Sequence, residues 1–150
     1  MESVVMREIA ARNLVARLPH AVDLRRWADA RALFADEVTV DYTSLFGGDV
    51  QRLGADALIA SWERQLTPLD ATQHLTGAIV VRLEGAHAVA ECHVRAEHIR
   101  RGAPDGDQWV VAGQWAIEMI EQPDGWRISA ITLRTLYQNG NRQLLAQAVR

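Results

Sequence analysis

Few side chains in this 150-residue sequence are suited to chemistry, and most of those are suited to moving protons. The chain has five histidines, two tyrosines and nineteen carboxylates, but a single cysteine. All sixteen basic residues are arginine, so a lysine imine, a pyridoxal-phosphate anchor and a phosphate-loop lysine are all excluded. The lone Cys92 excludes a disulfide within the chain and a multi-cysteine metal site. Histidine acid–base chemistry therefore remains as the leading hypothesis.

Two histidines are the first candidates for this acid–base role. A neutral imidazole accepts a proton near physiological pH, so His74 and His98 could each act as a general base or return a proton. Both fall in segments of alternating polarity, where residues of equal parity share one face of a strand. The competing interpretation is a strand histidine held by a backbone carbonyl. A bulge before His98 would turn that residue to the surface.

A carboxylate and a phenol are their candidate partners. Asp23 precedes the helical segment LRRWADARALF, which predicts a helix N-cap. The same carboxylate could instead hold a histidine in one tautomer and stabilise its imidazolium. Tyr42 shares parity with Val38 and Val40, as a core tyrosine with a satisfied hydroxyl would. Its alternative role is to donate a hydrogen bond to a substrate carbonyl or a departing hydroxyl.

Metal and cofactor motifs are not found in the sequence. His93 and His98 are five residues apart and point to opposite faces of a strand, so they do not share an ion. No G-x-S-x-G, H-E-x-x-H or glycine-rich dinucleotide loop occurs. Cys92 follows the small-residue face of its strand, as a small hydrophobe does. We therefore expect neither a catalytic metal nor a bound cofactor.

The charge pattern limits the classes of partner. A net charge of −3 and a pI near 5.9, with arginines scattered in ones and twos, do not suit nucleic acid. No apolar run approaches the ~20 residues that cross a bilayer, and no basic or apolar leader is evident. These features predict a cytoplasmic protein that binds neither membrane nor nucleic acid.

Helices are predicted for the first half of the chain. Apolar residues at near-helical spacing predict a helix from Ser3 to Leu18, with Pro19 where it should stop. A second helix follows Asp23, and the segment EVTVDYT then alternates as a short strand. A third helix, ending at Pro68, carries the apolar stripe Ala55, Leu58, Ile59, Trp62 and Leu66.

Long strands are predicted for the second half, where the period changes to two. Four segments at about 72–84, 87–100, 108–121 and 126–138 are separated by turn signals, which favours an antiparallel meander. The strand near 38–43 is expected at its edge. The whole chain, 1–150, is therefore predicted to be one α+β domain with helices on one face of the sheet. One face of the second segment is rich in alanine, which predicts an internal cavity under a curved sheet.

These elements and motifs together resemble a known family. Their order, with FADEVTVDY, TQHL and GWRIS, is similar to the SnoaL-like branch of the nuclear transport factor 2-like superfamily from about residue 5 to 138. The motifs are most similar to scytalone dehydratase. The resemblance implies a cone-shaped α+β barrel with a pocket, in which Asp23, His74 and His98 are catalytic and Tyr42 holds water. Val22 stands where that enzyme has a second tyrosine, which implies a different substrate.

Two functions are consistent with these observations. The first is a cofactor-independent lyase or isomerase of the dehydratase type, acting on a small apolar carbonyl compound of polyketide-like or aromatic character. Val22, Trp27, Trp62 and Trp115 are then candidates for contacting the substrate, and Trp109 is a further candidate for core or pocket wall. The second is a non-catalytic ligand-binding or oligomer-forming module, such as the β subunits of ring-hydroxylating dioxygenases.

The resemblance also implies a homo-oligomer, either a dimer or a trimer. An open, cone-shaped sheet of this kind usually buries its outer face against another copy. Apolar residues are expected on that outer face at Val110, Ala112, Ala116 and Ile120.

Overall fold

The computed structural model describes residues 2–148, which form a layer of helices against one seven-stranded sheet. The helices are α1 (Val4–Asp23), α2 (Trp27–Ala32), α3 (Thr43–Phe46), α4 (Ala55–Leu66) and α5 (Leu144–Ala148). The strands are β1 (Phe34–Asp41), β2 (Gln51–Gly54), β3 (Ala71–Thr76), β4 (Val80–Glu84), β5 (His87–Ile99), β6 (Gln108–Gln122) and β7 (Gly125–Gly140). Within these residues, no helix combines the length and apolar character required to span a membrane.

The sheet confirms the predicted α+β fold and corrects its strand directions. Its order is β2-β1-β7-β6-β5-β3, with β4 also paired to β5. The meander of β5, β6 and β7 is antiparallel as expected, but β1 pairs with β7 in parallel, so the sheet is mixed. The connectivity permits this parallel pairing, because β1 and β7 are far apart in the chain and are not joined by the tight hairpin that requires antiparallel strands.

The predicted strand 72–84 is two strands, β3 and β4. The chain leaves the sheet at residues 77–79, then β4 pairs with the first half of β5 while β3 pairs with the second half. Gly77 still donates its amide to the His93 carbonyl, at 3.0 Å. The break changes which face the side chains occupy, so Val80 is exposed although it shares parity with His74.

The first helix extends beyond the predicted stop at Pro19. Proline costs one backbone hydrogen bond, but it is buried here together with Leu18 and Val22, and this packing outweighs the lost bond. The helix ends instead at Asp23, and Arg25, the residue after its C-cap Leu24, has a φ of +59°, in the left-handed region. The Arg26 amide then bonds the Ala21 carbonyl at 2.8 Å, and the Arg25 amide bonds Val22, which is a Schellman ending without glycine.

Strand β5 supplies the inner surface that the sequence predicted. Its side chains alternate between buried and exposed along almost its whole length. Ala88 and Ala90 are fully enclosed in the core, whereas Ala96 lies further along the strand and lines a cavity. Register shifts between β6 and β7, at Ala112/Gly113 and at Glu118/Met119, mark bulges, and a bulge bends the strand that carries it. The bend leaves space between the helices and the far end of the sheet.

The four apolar residues expected on the outer face are buried or half-buried, with Ala116 and Ile120 half-buried. Val110 and Ala112 are 4% and 7% exposed within a single chain, so they do not offer a free surface. Arg95 and Tyr137 lie in register on either side of Ala112, and the Arg95 guanidinium donates to the Tyr137 hydroxyl at 3.0 Å. These long side chains cover the strand between them. Assembly into a homo-oligomer remains a prediction.

Candidate active site

A cavity of about 220 Å³ lies between the helices and the inner face of the sheet. Most of its wall is apolar, with small residues on β5 and the large rings of Trp62, Trp109 and Trp115. Within residues 2–148, no arginine, aspartate or glutamate side chain lines it. Its polar atoms come from histidine, tyrosine, serine, glutamine and indole groups. A cavity of this kind suits a small uncharged molecule.

His74 and Asp23 form a hydrogen-bonded pair at the wall of the cavity. The His74 ring Nδ1 lies 2.7 Å from Asp23 Oδ1, and the His74 backbone amide donates to Asp23 Oδ2, also at 2.7 Å. Because the carboxylate accepts, we assign the ring proton to Nδ1, which leaves the Nε2 lone pair free. His74 lines the cavity, so this lone pair is available to a bound molecule.

The end of α1 and the start of β3 position this pair. Asp23 is the last residue of α1, not the N-cap of the next helix as predicted, because Arg26 holds that place without a side-chain cap. Two turn residues, Leu24 and Arg25, separate Asp23 from Arg26. The Asp23 carboxylate therefore stands at the end of α1, where it bonds to His74 of β3. There Thr72 also donates its hydroxyl to Asp23 Oδ1, at 3.1 Å.

Arg25 stabilises the Asp23–His74 pair through Thr72, and this role was not predicted from the sequence. Its guanidinium donates to Thr72 Oγ1 at 2.8 Å, to the Leu66 carbonyl at 2.9 Å and to the Val22 carbonyl at 3.2 Å. Burial lowers the pKa of Arg25, and the nearby Asp23 charge opposes that shift. One side chain thus ties the ends of α1 and α4 to β3.

Two substitutions of Arg25 should distinguish the stability contributed by its hydrogen bonds from the cost of its positive φ. Arg25→Ala loses the three bonds and keeps the unfavourable φ, so we expect the unfolding free energy to fall by roughly 2–4 kcal/mol. Arg25→Gly should recover about 1 kcal/mol of that loss, since glycine accepts positive φ. Urea denaturation measures both, with the exposed neighbour Arg26→Ala as control. Equal stabilities of Arg25→Ala and Arg26→Ala would contradict this role.

Whereas His74 is hydrogen-bonded to a carboxylate, His98 is hydrogen-bonded to an uncharged backbone carbonyl. It is 6% exposed, its Nδ1 lies 3.0 Å from the Trp109 carbonyl, and its ring lies 4.7 Å from the Trp109 ring centre. Burial, and then the charge that His74 can carry, lower the pKa of His98 to about 4. The ring is therefore neutral at physiological pH. A carbonyl can only accept, so Nδ1 carries the proton and Nε2 is an acceptor.

The buried neutral state of His98 predicts an acid-sensitive stability. Its pKa is about 4 in the folded chain and about 6.5 when unfolded, so the unfolded chain binds more protons between these values. The unfolding free energy should fall by on the order of 3 kcal/mol from this residue as the pH drops from about 7 to about 4. Urea denaturation across that range should show a smaller fall in His98→Gln than in the wild type. The exposed His93→Gln should follow the wild type, and an unchanged slope in His98→Gln would contradict the assignment.

Tyr42 stands between β1 and α3 and lines the same cavity. Burial raises the pKa of its hydroxyl to about 12, and the neighbouring Trp115 indole opposes part of the rise. The phenol therefore stays protonated at any physiological pH and can donate a hydrogen bond.

The rings around His74 lie close together. Between ring centres, His74 is 6.0 Å from His98 and 6.1 Å from Trp115, and the His74 and Trp115 rings are nearly parallel.

The structure brings most of the sequence-derived candidates together. His74, His98, Tyr42, Val22, Trp62 and Trp115 all line the cavity, and Asp23 lies directly behind His74. Trp27 does not: it begins α2 and packs on the outside of the core, because that short helix follows a tight reversal at Arg25. Residues of the wall that the sequence did not single out include Phe46, Ser61 and Gln65. The only feature of the sequence that points to Ser61 and Gln65 is their position on α4, close to Trp62 of the apolar stripe.

The other histidines and Cys92 lie apart from this site. His93 is exposed on the outer face, opposite to His98, as their spacing predicts. Within residues 2–148, no group of three histidine, cysteine or carboxylate side chains is arranged to hold a metal ion. Burial raises the pKa of the Cys92 thiol to about 11, which makes it a poor nucleophile.

The chain belongs to the SnoaL-like domain family, whose model matches residues 6–132. This agrees with the resemblance seen in the sequence. No curated protein sequence matches the chain.

Three solved structures share the fold. A protein from Kribbella flavida is 28% identical, with a TM-score of 0.89 over 96% of this chain and 99% of that one. A candidate scytalone dehydratase from Novosphingobium aromaticivorans is 19% identical, with a TM-score of 0.75 over 89% and 86%. A hexachlorocyclohexane dehydrochlorinase from Novosphingobium barchaimii is 14% identical, with a TM-score of 0.69 over 89% and 88%. A dehydratase-like protein and a dehydrochlorinase are thus among the structural neighbours of this chain.

Proposed function

We propose that this protein is a cofactor-independent lyase or isomerase that removes a proton next to the carbonyl of a small, uncharged cyclic compound. The observation that carries the proposal is the Asp23–His74 pair at the wall of a mainly apolar cavity, on which no charged side chain of residues 2–148 lies. The neighbouring dehydratase and dehydrochlorinase folds agree with it, since both names describe eliminations. Four polar groups at the cavity support it: His74, the Asp23 carboxylate bonded to it, Tyr42 and His98.

His74 acts as the base in this proposal. Its Nε2 lone pair faces the cavity while Nδ1 is held by Asp23 at 2.7 Å, which fixes the tautomer that can accept a proton. Asp23 then stabilises the imidazolium that forms. The electron pair of the broken C–H bond moves onto the substrate carbonyl and gives an enolate.

Tyr42 donates a hydrogen bond to the oxygen of that enolate. Its hydroxyl is buried and its pKa is raised to about 12, so it keeps its proton throughout the reaction. A donor placed in a site of low dielectric stabilises developing charge more than the same donor does in water. The Trp115 indole beside it provides a flat surface for the substrate ring.

His98 accepts a hydrogen bond from the substrate instead of supplying a proton. The sequence suggested that the second histidine protonates a departing hydroxyl, but a pKa of about 4 leaves no proton on Nε2 at neutral pH. We assign His98 to orienting a substrate hydroxyl. The His74 imidazolium then returns its proton to that hydroxyl, the C–O bond breaks, and water and an unsaturated ketone result. Without a leaving group, return of the proton to another carbon gives an isomer.

A proton-exchange assay tests the proposal. Wild-type protein should speed deuterium incorporation at C2 of 1-indanone in deuterium oxide, followed by NMR, and should dehydrate 3-hydroxy-1-indanone to indenone. The non-catalytic alternative, a module that only binds an apolar ligand, predicts binding of these ketones with no exchange above buffer. Ligand binding without exchange in the wild type would overturn the enzymatic proposal and favour the module.

A further inference from the structure

A second set of polar groups faces the cavity from helix α4. Ser61 and Gln65 are one helical turn apart, both line the cavity, and both are half-buried. The Gln65 amide nitrogen donates to the Ser61 hydroxyl oxygen at 3.0 Å. This bond orients the two side chains toward each other. They form a fixed polar pair on a wall that is otherwise mainly apolar.

The pair keeps one donor and one acceptor free. A hydroxyl that accepts a hydrogen bond can still donate its own proton, and a glutamine whose nitrogen donates still has its carbonyl oxygen. Among the hydrogen bonds of residues 2–148, neither the Ser61 hydroxyl proton nor Gln65 Oε1 has another partner. A hydroxyl group on a ligand satisfies both at once, because it accepts from one group and donates to the other.

This pair lies on a different wall from the reacting groups. Helix α4 packs mainly against β1 and β2, and its last residue, Leu66, is joined to β3 through Arg25. His74 and His98 come instead from β3 and β5, toward the other edge of the sheet. A molecule that fills the cavity therefore contacts the histidines with one part and α4 with another. Trp62 lies on the same helix between the two polar residues and offers a ring surface beside them.

The size and charge of the cavity restrict which ligands can contact both the histidines and the Ser61–Gln65 pair. Its volume of about 220 Å³ is below the roughly 300–1,000 Å³ of pockets for drug-sized ligands. With no charged side chain of residues 2–148 on its wall, a carboxylate or phosphate would lose its hydration without a compensating cation. A neutral mono- or bicyclic compound meets both restrictions.

We propose that Ser61 and Gln65 form a second polar subsite that binds a hydroxyl group on the ring of the substrate remote from the reacting carbonyl. The substrate class is thus a hydroxylated, uncharged mono- or bicyclic ketone. This inference rests on the proposed function in one respect, since it takes the His74 side of the cavity as the reacting end. Binding alone tests it, because the subsite acts on affinity and not on the proton transfer.

The test compares 1-indanone with 4-, 5- and 6-hydroxy-1-indanone, with dissociation constants measured by quenching of the tryptophan fluorescence. Wild-type protein should bind at least one hydroxylated ketone roughly three- to tenfold more tightly than 1-indanone, which corresponds to one net hydrogen bond. Ser61→Ala and Gln65→Leu should each reduce that preference, and the double variant should abolish it while keeping the affinity for 1-indanone. Ser129→Ala and Gln114→Leu make the same chemical changes elsewhere on the sheet and should keep the preference.

The outcomes separate this inference from the proposed function. Loss of the preference in Ser61→Ala/Gln65→Leu supports the subsite even if no ketone exchanges its protons, in which case only the catalytic proposal fails. Proton exchange by a wild type that shows no hydroxyl preference overturns the subsite and leaves the catalytic proposal intact. A preference that persists in the double variant also overturns the subsite, as does failure of the wild type to bind any of the four ketones. Circular dichroism of each variant shows that the fold is retained.

Discussion

His74→Asn should abolish most of the proton exchange, with a loss of about 10²–10⁴-fold in rate. Asparagine keeps a donor toward Asp23 in place of His74 Nδ1, which now lies 2.7 Å from the carboxylate, but it has no atom in place of Nε2. The variant therefore retains the local hydrogen bond and loses only the proposed base. Deuterium incorporation at C2 of 1-indanone, measured by NMR at several ketone concentrations, gives the effect on kcat and on KM separately.

The matched control is His93→Asn, on the outer face of the same sheet. His93 is exposed and faces away from the cavity, so this variant should exchange protons at the wild-type rate. The loss in His74→Asn should appear in kcat, while the affinity for the ketone changes little. A His74→Asn protein that exchanges as fast as His93→Asn would refute the assignment of the base.

Asp23→Asn should reduce the rate by a similar factor, about 10²–10⁴-fold, for a different reason. The carboxylate accepts from the His74 amide, the His74 ring and the Thr72 hydroxyl. An amide in its place offers an NH₂ group to His74 Nδ1, which favours the tautomer with the proton on Nε2. That tautomer presents a donor to the cavity and cannot take a proton from the substrate. The same exchange assay measures the loss.

Asp29→Asn serves as the control for this change, because Asp29 is exposed in the first turn of α2. It should retain the wild-type rate. A structural role of Asp23 alone would lower the unfolding free energy without changing the rate of the folded fraction. Asp23→Asn protein that is folded by circular dichroism and fully active would therefore rule out the tautomer mechanism.

Local patterns were sufficient to predict most of the elements. The change from helical to alternating periodicity near residue 71 correctly separated the helical half from the long strands. The stripe of α4, from Ala55 to Leu66, was predicted at its observed position because burial of one helix face leaves a direct pattern in the sequence. The alternation of β5 likewise identified the inner face that carries His98.

Sequence patterns gave wrong predictions where contacts with residues distant in the sequence determine the backbone conformation. Pro19 is a strong local stop signal, yet α1 continues to Asp23 because its last turn is buried against the rest of the core. Arg25 follows the helix in the left-handed conformation that glycine usually adopts, and its hydrogen bonds to Thr72 and Leu66 compensate the strained backbone. Neither partner is near Arg25 in the sequence. The parallel pairing of β1 with β7 likewise joins segments that are far apart in the sequence.

The sequence by itself determined the chemistry that is open to this protein. A chain with sixteen arginines, no lysine and one cysteine has no lysine to form an imine, so any enolate it forms arises by direct deprotonation. Strand parity and the family resemblance then selected His74 and His98 from the five histidines. These inferences depend only on residue type and local order, which the sequence contains in full.

The tertiary structure alone decided how the two histidines differ. Asp23 approaches His74 only because α1 passes Pro19 and ends beside β3, whereas His98 meets the carbonyl of Trp109 on the neighbouring strand. One ring is thus paired with a carboxylate, and the other is buried against a neutral acceptor with its pKa lowered to about 4. Protonation depends on burial and on charges brought close by folding, and for this reason the different roles that we propose for the two histidines could be inferred only from the assembled fold.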